Sequence, residues 1–380
     1  MLNFFLACTS NTDFSFEKEI SSPSSPESAQ EPSEEPSQEP AEEPSQEPAE
    51  EPSQEPAEEP SDEATTEYLS EDASFDLVFE EQHMVAQSQI WNYPAPADSG
   101  FFFTTMHNKT LTLRRFDLSF SLLSSEIVTV ADSSDLGDPD QDIADHALLR
   151  HEDTLYYAIT TQNNHSLYIL STDLDGNRLD YAVVQESGIR RTNDPHLFVH
   201  DDQICLRWGQ SGPDKALRCY DSQLNPMFNT EIITTSPPTS QLGTTKWMGD
   251  HFLVFSGDET QSDLVVSTYN EDWSQADPFQ QTILPAEFDE WNWASTGAEW
   301  IPEYGLWAIA YTNMFAEGGD MDGRARIALF DEDYNLIAIR FAQKQDSATF
   351  RPHLLWHESH LILSYDAGPV LIERWRIDPI

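Results

Sequence analysis

Short apolar runs rich in β-branched and aromatic residues, separated by turn residues, fill the chain from Phe75 to Ile380. They recur as a unit. The stretch Asn193 to Trp208, NDPHLFVHDDQICLRW, lands without gaps on Ala144–Ile159, Thr296–Tyr311 and Phe350–Tyr365, with a looser copy around Lys246 and a degenerate one from about Trp91 to Thr105. The column holding His196 then reads Tyr93, Ala147, His196, about Thr245, Glu299 and His353, a period of 49 to 54 residues. Each unit resolves into four strand signals, for example Leu197-Phe198, Ile204–Trp208, Leu217–Tyr220 and Ile232–Thr234. Their β-branched and aromatic composition and the turn residues between them point to strands, and no long helical period competes with them. Four antiparallel strands per repeat of about fifty residues is a β-propeller blade.

Six such units are predicted, and the last stops after its third strand. The missing strand lies at the other end of the domain, in Phe75–Phe79 (FDLVF), so the expected fold is an all-β, six-bladed propeller closed by its N-terminal strand. Between third and fourth strands a turn beginning FD, TD, YD or YN recurs at Phe116, Thr172, Tyr220, Tyr269 and Phe330. Asp173-Leu174-Asp175-Gly176 has the start of a calcium loop, but its recurrence in five blades without the second half makes the Asp a turn-former bonding its own backbone. By the same reasoning His151, His200 and His357, which precede acidic turns, are read as parts of those turns rather than as metal ligands.

The segments EYGLWAIAY, RIALFDEDYN and LYILSTDLDGN give the unit a resemblance to the repeats of β-propeller lipoproteins of bacterial cell surfaces, over about residues 75 to 380. That resemblance implies a propeller and carries no settled activity.

Composition adds a second region. From Asn11 to Ser74 the chain is Glu, Pro, Ser, Gln and Ala, with EEPSQEPA three times over and Lys18 as its sole basic residue. Such a segment has too little apolar surface to fold, and charge repulsion extends it. At roughly 3 Å per residue it would reach on the order of 200 Å as a stalk. The expected organisation is 1–8 a truncated lipoprotein signal, 9–74 a disordered linker and 75–380 the propeller. MLNFFLAC resembles the end of a lipoprotein signal, with Phe5, Leu6 and Ala7 before a lipidated Cys8; no basic region precedes them, so the expectation is either a true start upstream of Met1 or an accidental resemblance. The net charge of -49 excludes nucleic acid and anionic membranes as partners. No apolar run is long enough to span a bilayer, so the expected membrane contact is the anchor alone and the expected state a monomer outside the cytoplasm, on the outer membrane or cell surface. Cys205 and Cys219 share a hairpin register with Trp208 and Ala216, which predicts a cross-strand disulfide and an oxidising compartment.

Candidate chemistry falls in two places. On the face carrying the fourth-to-first and second-to-third loops, Asp135, Asp138 and Asp140 join Asp320 and Asp322 as candidate calcium ligands, with Trp291 and Trp293 beside them as candidate ligand-binding residues. Near the axis His196 and His353 are the candidate ligand-binding residues, with Glu299 in the same column. No other cofactor is expected. The leading expectation is a binding or scaffold module for a protein or glycan at the cell surface, not an enzyme. The alternative is a carbohydrate-active hydrolase or lyase at the channel mouth: by resemblance to propeller furanosidases, Asp145, Asp194 and Glu299 would be base, orienting group and acid. Two of those carboxylates would have to converge within about 5 to 10 Å.

Overall fold

The computed structural model describes residues 67–380 apart from 87–89, 124–126, 138–139, 163–165, 186–192, 210–213, 235–242, 258–262, 286–296, 313–324 and 344–348. Every regular element among them is a β-strand, and the strands form six antiparallel sheets. The first two, β1 (Tyr68–Leu69) and β2 (Phe75–Ala86), join blades made by the far end of the chain. Blade 1 comprises β3 (Ile90–Pro96), β4 (Phe101–His107), β5 (Thr110–Phe116) and β6 (Val128–Asp132). Blade 2 follows as β7 (Ile143–His151), β8 (Thr154–Thr161), β9 (Leu167–Thr172) and β10 (Arg178–Gln185). Blade 3 is β11 (Asn193–His200), β12 (Gln203–Gly209), β13 (Asp214–Tyr220) and β14 (Glu231–Thr234). In blade 4 the strands are β15 (Thr244–Trp247), β16 (His251–Gly257), β17 (Leu264–Asn270) and β18 (Gln275–Leu284). Blade 5 has β19 (Gly297–Ile301), β20 (Leu306–Thr312), β21 (Ala325–Phe330) and β22 (Leu336–Phe341). Blade 6 has β23 (Phe350–His357), β24 (His360–Asp366) and β25 (Val370–Pro379).

The ring closes as the sequence predicts. β2 supplies the fourth strand of blade 6, running from Phe75 opposite Pro379 to Ala86 opposite Val370. Side chains reinforce this seam. Glu80 meets Arg374 at 2.8 Å and Arg376 at 3.2 Å, and buried Glu373 accepts from Gln82 Nε2, the Gln343 backbone N–H, the Tyr365 hydroxyl and Trp375 Nε1. Four donors satisfy a carboxylate whose pKa burial pushes up.

Packing explains why second and third strands read as continuous apolar runs rather than alternating ones. In β8, β9, β20 and β21 nearly every residue is buried, since both sheet faces meet a neighbouring blade. Fourth strands face solvent on the rim, so β10 and β18 are largely exposed. The apolar side chains form six clusters, one at each junction between adjacent blades, including blade 6 with blade 1 through Leu355, Ile362, Phe101 and Phe103. A ring of six interfaces removes open faces and leaves only rim edges exposed.

One edge is covered by a segment the sequence assigns to the linker. Tyr68 and Leu69 pair with Ile339 and Ala338 on the outer side of β22, and Arg340 ties them down by donating to the Tyr68 carbonyl and pairing with Asp76. Two residues suffice for this strand pairing although their composition carries no strand signal. Residues 1–66, with the stalk and Cys8, lie outside the described residues.

The third-to-fourth turns of blades 1, 2, 3 and 5 are Asp-capped as expected, and Asn270 takes the Asp position in blade 4. Asp173 Oδ1 accepts from the backbone N–H groups of Asp175 and Asn177, and Asp221 and Asp331 repeat the arrangement with Asn225 and Asn335. The Asn177 side chain, bonded to Asp173, holds that carboxyl below the usual range. The fifth turn residue is left-handed in blades 1 to 5: Phe120, Gly176, Leu224, Trp273 and Tyr334 have φ between 58° and 85°. Four are bulky residues in a conformation that normally favours Gly, held by packing into the interblade clusters, as Phe120 is buried at 3% exposure.

Cys205 and Cys219 face each other across β12 and β13, in register with Trp208 and Ala216, and form the disulfide with Cα atoms 4.0 Å apart.

Candidate functional site

The first strand of each blade stands innermost, and the six together enclose an axial cavity of about 310 Å³. Strands must come close for this to be possible. Gly297 is where β19 presses on β23, since a Cβ there would lie 2.7 Å from the Leu354 nitrogen.

The side chains reaching the cavity differ from blade to blade. Tyr93, His196, Lys246, Glu299 and His353 line it, with Ala147 as the small member of the column. Blade 4 departs from the sequence reading by one residue. Thr245 turns away and its hydroxyl accepts from Arg207 Nε at 3.0 Å, while Lys246 takes the axial place. Successive strand side chains point to opposite faces, so the slip exchanges a neutral hydroxyl for an ammonium.

Lys246 and Glu299 form an ion pair at 3.0 Å across blades 4 and 5. Burial raises the Glu299 pKa, and the ammonium opposes that rise. The histidines are neutral. His196 falls to about 3, through burial first and the nearby Arg207 guanidinium second, and its Nε2–H donates to the Thr245 carbonyl at 3.3 Å. His353 also falls to about 3 through burial, with the Tyr93 ring centroid 3.8 Å from its own. His146, one position off the column, is fully buried between blades 1 and 2 and bonds the Thr104 hydroxyl at 2.9 Å. Its pKa also falls to about 3 by burial.

The remaining sequence candidates lie away from the cavity wall or outside the described residues. Asp145 is buried in β7, with Oδ1 accepting from the His146 backbone N–H at 2.6 Å, and is not part of the cavity wall. Asp194 lies in β11 with its side chain outside the described residues. The expected carboxylate trio is therefore reduced, among the described residues, to Glu299. Trp291, Trp293, Asp138, Asp320 and Asp322 also lie outside the described residues. Asp135 and Asp140 are exposed, and among the described residues neither belongs to a group of side chains with metal-ligand spacing. Sequence reasoning missed Lys246, which the period alone could have found had the register been set by alternation, and Arg207, a buried cation that shows no signal in the repeat.

The class is a six-bladed β-propeller with a polar cavity on its axis. No family model matches the chain, and no curated protein matches it. Solved structures with a similar fold include Bacteroides ovatus xyloglucan PUL GH43B, at 10% identity over 76% of this chain and 64% of that one, TM-score 0.47. Others are a GH43 β-1,3-galactosidase with galactodeoxynojirimycin (9% identity, 70% of this chain, 100% of that one, TM-score 0.48) and a member of the DUF4221 family from Bacteroides vulgatus (11%, 81% and 99%, TM-score 0.46). At such identities no residue role transfers from them.

Proposed function

We propose that the chain is a binding module whose axial cavity takes a small, hydroxyl-rich, uncharged ligand, displayed outside the cytoplasm on a lipid-anchored acidic stalk. The observation that carries the reading is the cavity wall. An aromatic face (Tyr93), two neutral imidazoles (His196, His353) and an already neutralised ion pair (Lys246 with Glu299) offer stacking and hydrogen bonds without net charge. A volume of about 310 Å³ suits one or two sugar-sized rings. The Cys205–Cys219 disulfide supports an oxidising compartment. A monomer facing a glycan or protein at the cell surface, with no nucleic-acid partner, completes the proposal.

The hydrolase reading rests on one observation, the raised pKa of Glu299 in the cavity, a property of a general acid. A second carboxylate is required as well. Among the described residues Glu299 is the cavity's one carboxylate, so binding is the better-supported reading.

Thermal unfolding of the full chain against a panel of mono- and oligosaccharides tests this. A ligand at a hundred times its dissociation constant stabilises the native state by about 2.7 kcal/mol. The proposal expects a shift that disappears in Tyr93→Ala with the sugar recovered uncleaved. Cleavage products abolished by Glu299→Gln would favour the hydrolase instead, and no shift with any sugar would remove the proposed ligand class.

A further inference from the structure

The first-to-second turn carries a histidine at its entrance in three blades: His151, His200 and His357 precede Glu152, Asp201 and Glu358, each with left-handed φ. Next to each such turn lies the third-to-fourth turn of the following blade. Tyr156 of blade 2 reaches the Ser222 carbonyl and Arg374 of blade 6 the Leu118 carbonyl. The position equivalent to Ser222 and Leu118 is Leu174 in blade 2, Glu271 in blade 4 and Glu332 in blade 5. Histidine and an acidic neighbour therefore coincide at one junction, blade 3 with blade 4. Blade 4 presents Met248-Gly249-Asp250 to Glu332 with no histidine at the matching place.

At that junction one ligand atom each from His200, Asp201 and Glu271 lies within 4.8 Å of the others. Asp201 and Glu271 are exposed and can adjust. The imidazole is not free to move, because Trp247 and Phe252 stand edge-on to it with ring centroids at 4.5 and 4.9 Å. Its Nε2 is buried and has no hydrogen-bond partner among the described residues, although Asp201 Oδ2 lies 3.7 Å away. That gap is too long for a hydrogen bond. It is close to the roughly 3.3 Å edge of a tetrahedron with metal–ligand bonds of about 2.0–2.1 Å.

We propose that His200, Asp201 and Glu271 bind a first-row transition-metal dication, Zn²⁺ being the probe of choice, and that the ion staples blade 3 to blade 4. One imidazole and two carboxylates form a three-protein-ligand set that leaves a fourth position for water. The nitrogen donor selects against Ca²⁺ and Mg²⁺, which take oxygen. The aromatic collar fixes the ring's orientation, as the surroundings of metal-bound histidines do. The repeated turn makes its own control: the His357–Glu358 pair, at 3.4 Å, has the local histidine and acid but faces Leu118 rather than a carboxylate.

The test is Zn²⁺ titration of the metal-free full chain by calorimetry, with Tm followed alongside and Co²⁺ absorption reporting geometry. Wild type should show one site tighter than the diffuse binding of an acidic chain, a rise in Tm, and a tetrahedral Co²⁺ spectrum. Glu271→Gln, an exposed change that keeps the fold, should weaken that site at least tenfold and remove the Tm rise, and His200→Ala should do the same. His357→Ala should change nothing in the titration. Absence of a distinct site in wild type, or a site and Tm rise that survive Glu271→Gln, would overturn the assignment.

Discussion

The blade framework and the axial column obey opposite rules. In the framework the blades repeat one solution: doubly buried second and third strands, with an Asp-capped turn in blades 1, 2, 3 and 5 and a left-handed residue before the fourth strand in blades 1 to 5. Along the axis, by contrast, tyrosine, alanine, histidine, lysine, glutamate and histidine follow one another. Repetition is what stacking identical sheets requires, since every interblade cluster must satisfy the same geometry. Variation at structurally equivalent positions serves no packing need, so it marks the places available for recognition.

If the two regions are separate in function, framework changes should cost stability and axial changes ligand affinity. The largest expected effect is Trp375→Ala, which removes a side chain at 1% exposure at the closing seam and leaves Glu373 short of a donor. A loss of about 3–5 kcal/mol in denaturant unfolding is expected. Replacing Cys205 and Cys219 together by Ser opens a loop with a sequence separation of 14, at a cost of about 3 kcal/mol read in the same experiment.

The pH dependence is next. His146, His196 and His353 have folded pKa values near 3 against 6.5 when unfolded, so the unfolded state binds more protons throughout that window. Stability is therefore present above pH 6.5 and lost as pH falls towards 3. Fully buried His146 alone should contribute a loss of about 2 kcal/mol between pH 7 and 5, checked by urea midpoints at the two pH values. Glu299 and Glu373 have the opposite sign. Raised by burial, they favour the native state as pH falls through the carboxyl range, which flattens the curve at its acidic end. Smallest of all, Asp173→Ala at an exposed turn should cost about 1 kcal/mol, visible as a few degrees in Tm.

Much of the framework was legible in the sequence because burial on both faces leaves a strong imprint. The blade count, the closing strand and the Cys205–Cys219 pairing follow from runs, period and register. What was not legible arises where side chains from different blades meet. The left-handed Phe120, Leu224, Trp273 and Tyr334 are held by neighbouring blades, and nothing in their own turns announces it. β1 was hidden because a two-residue strand at the end of a Pro/Glu-rich tract carries no periodicity. At the axis the column was found but misread by one residue in blade 4, where Lys246 replaces Thr245 and pairs with Glu299. The hydrolase trio came from a resemblance to propeller furanosidases, and Asp145 caps the His146 backbone N–H without lining the cavity.

The most direct test takes the sugar that shifts wild-type Tm furthest and compares its dissociation constant for wild type, Tyr93→Ala and Asp173→Ala at one temperature and pH. The account predicts at least a tenfold loss with Tyr93→Ala and an unchanged constant with Asp173→Ala, even though both variants are less stable. Equal losses in the two, or full affinity in Tyr93→Ala, would contradict an axial binding site.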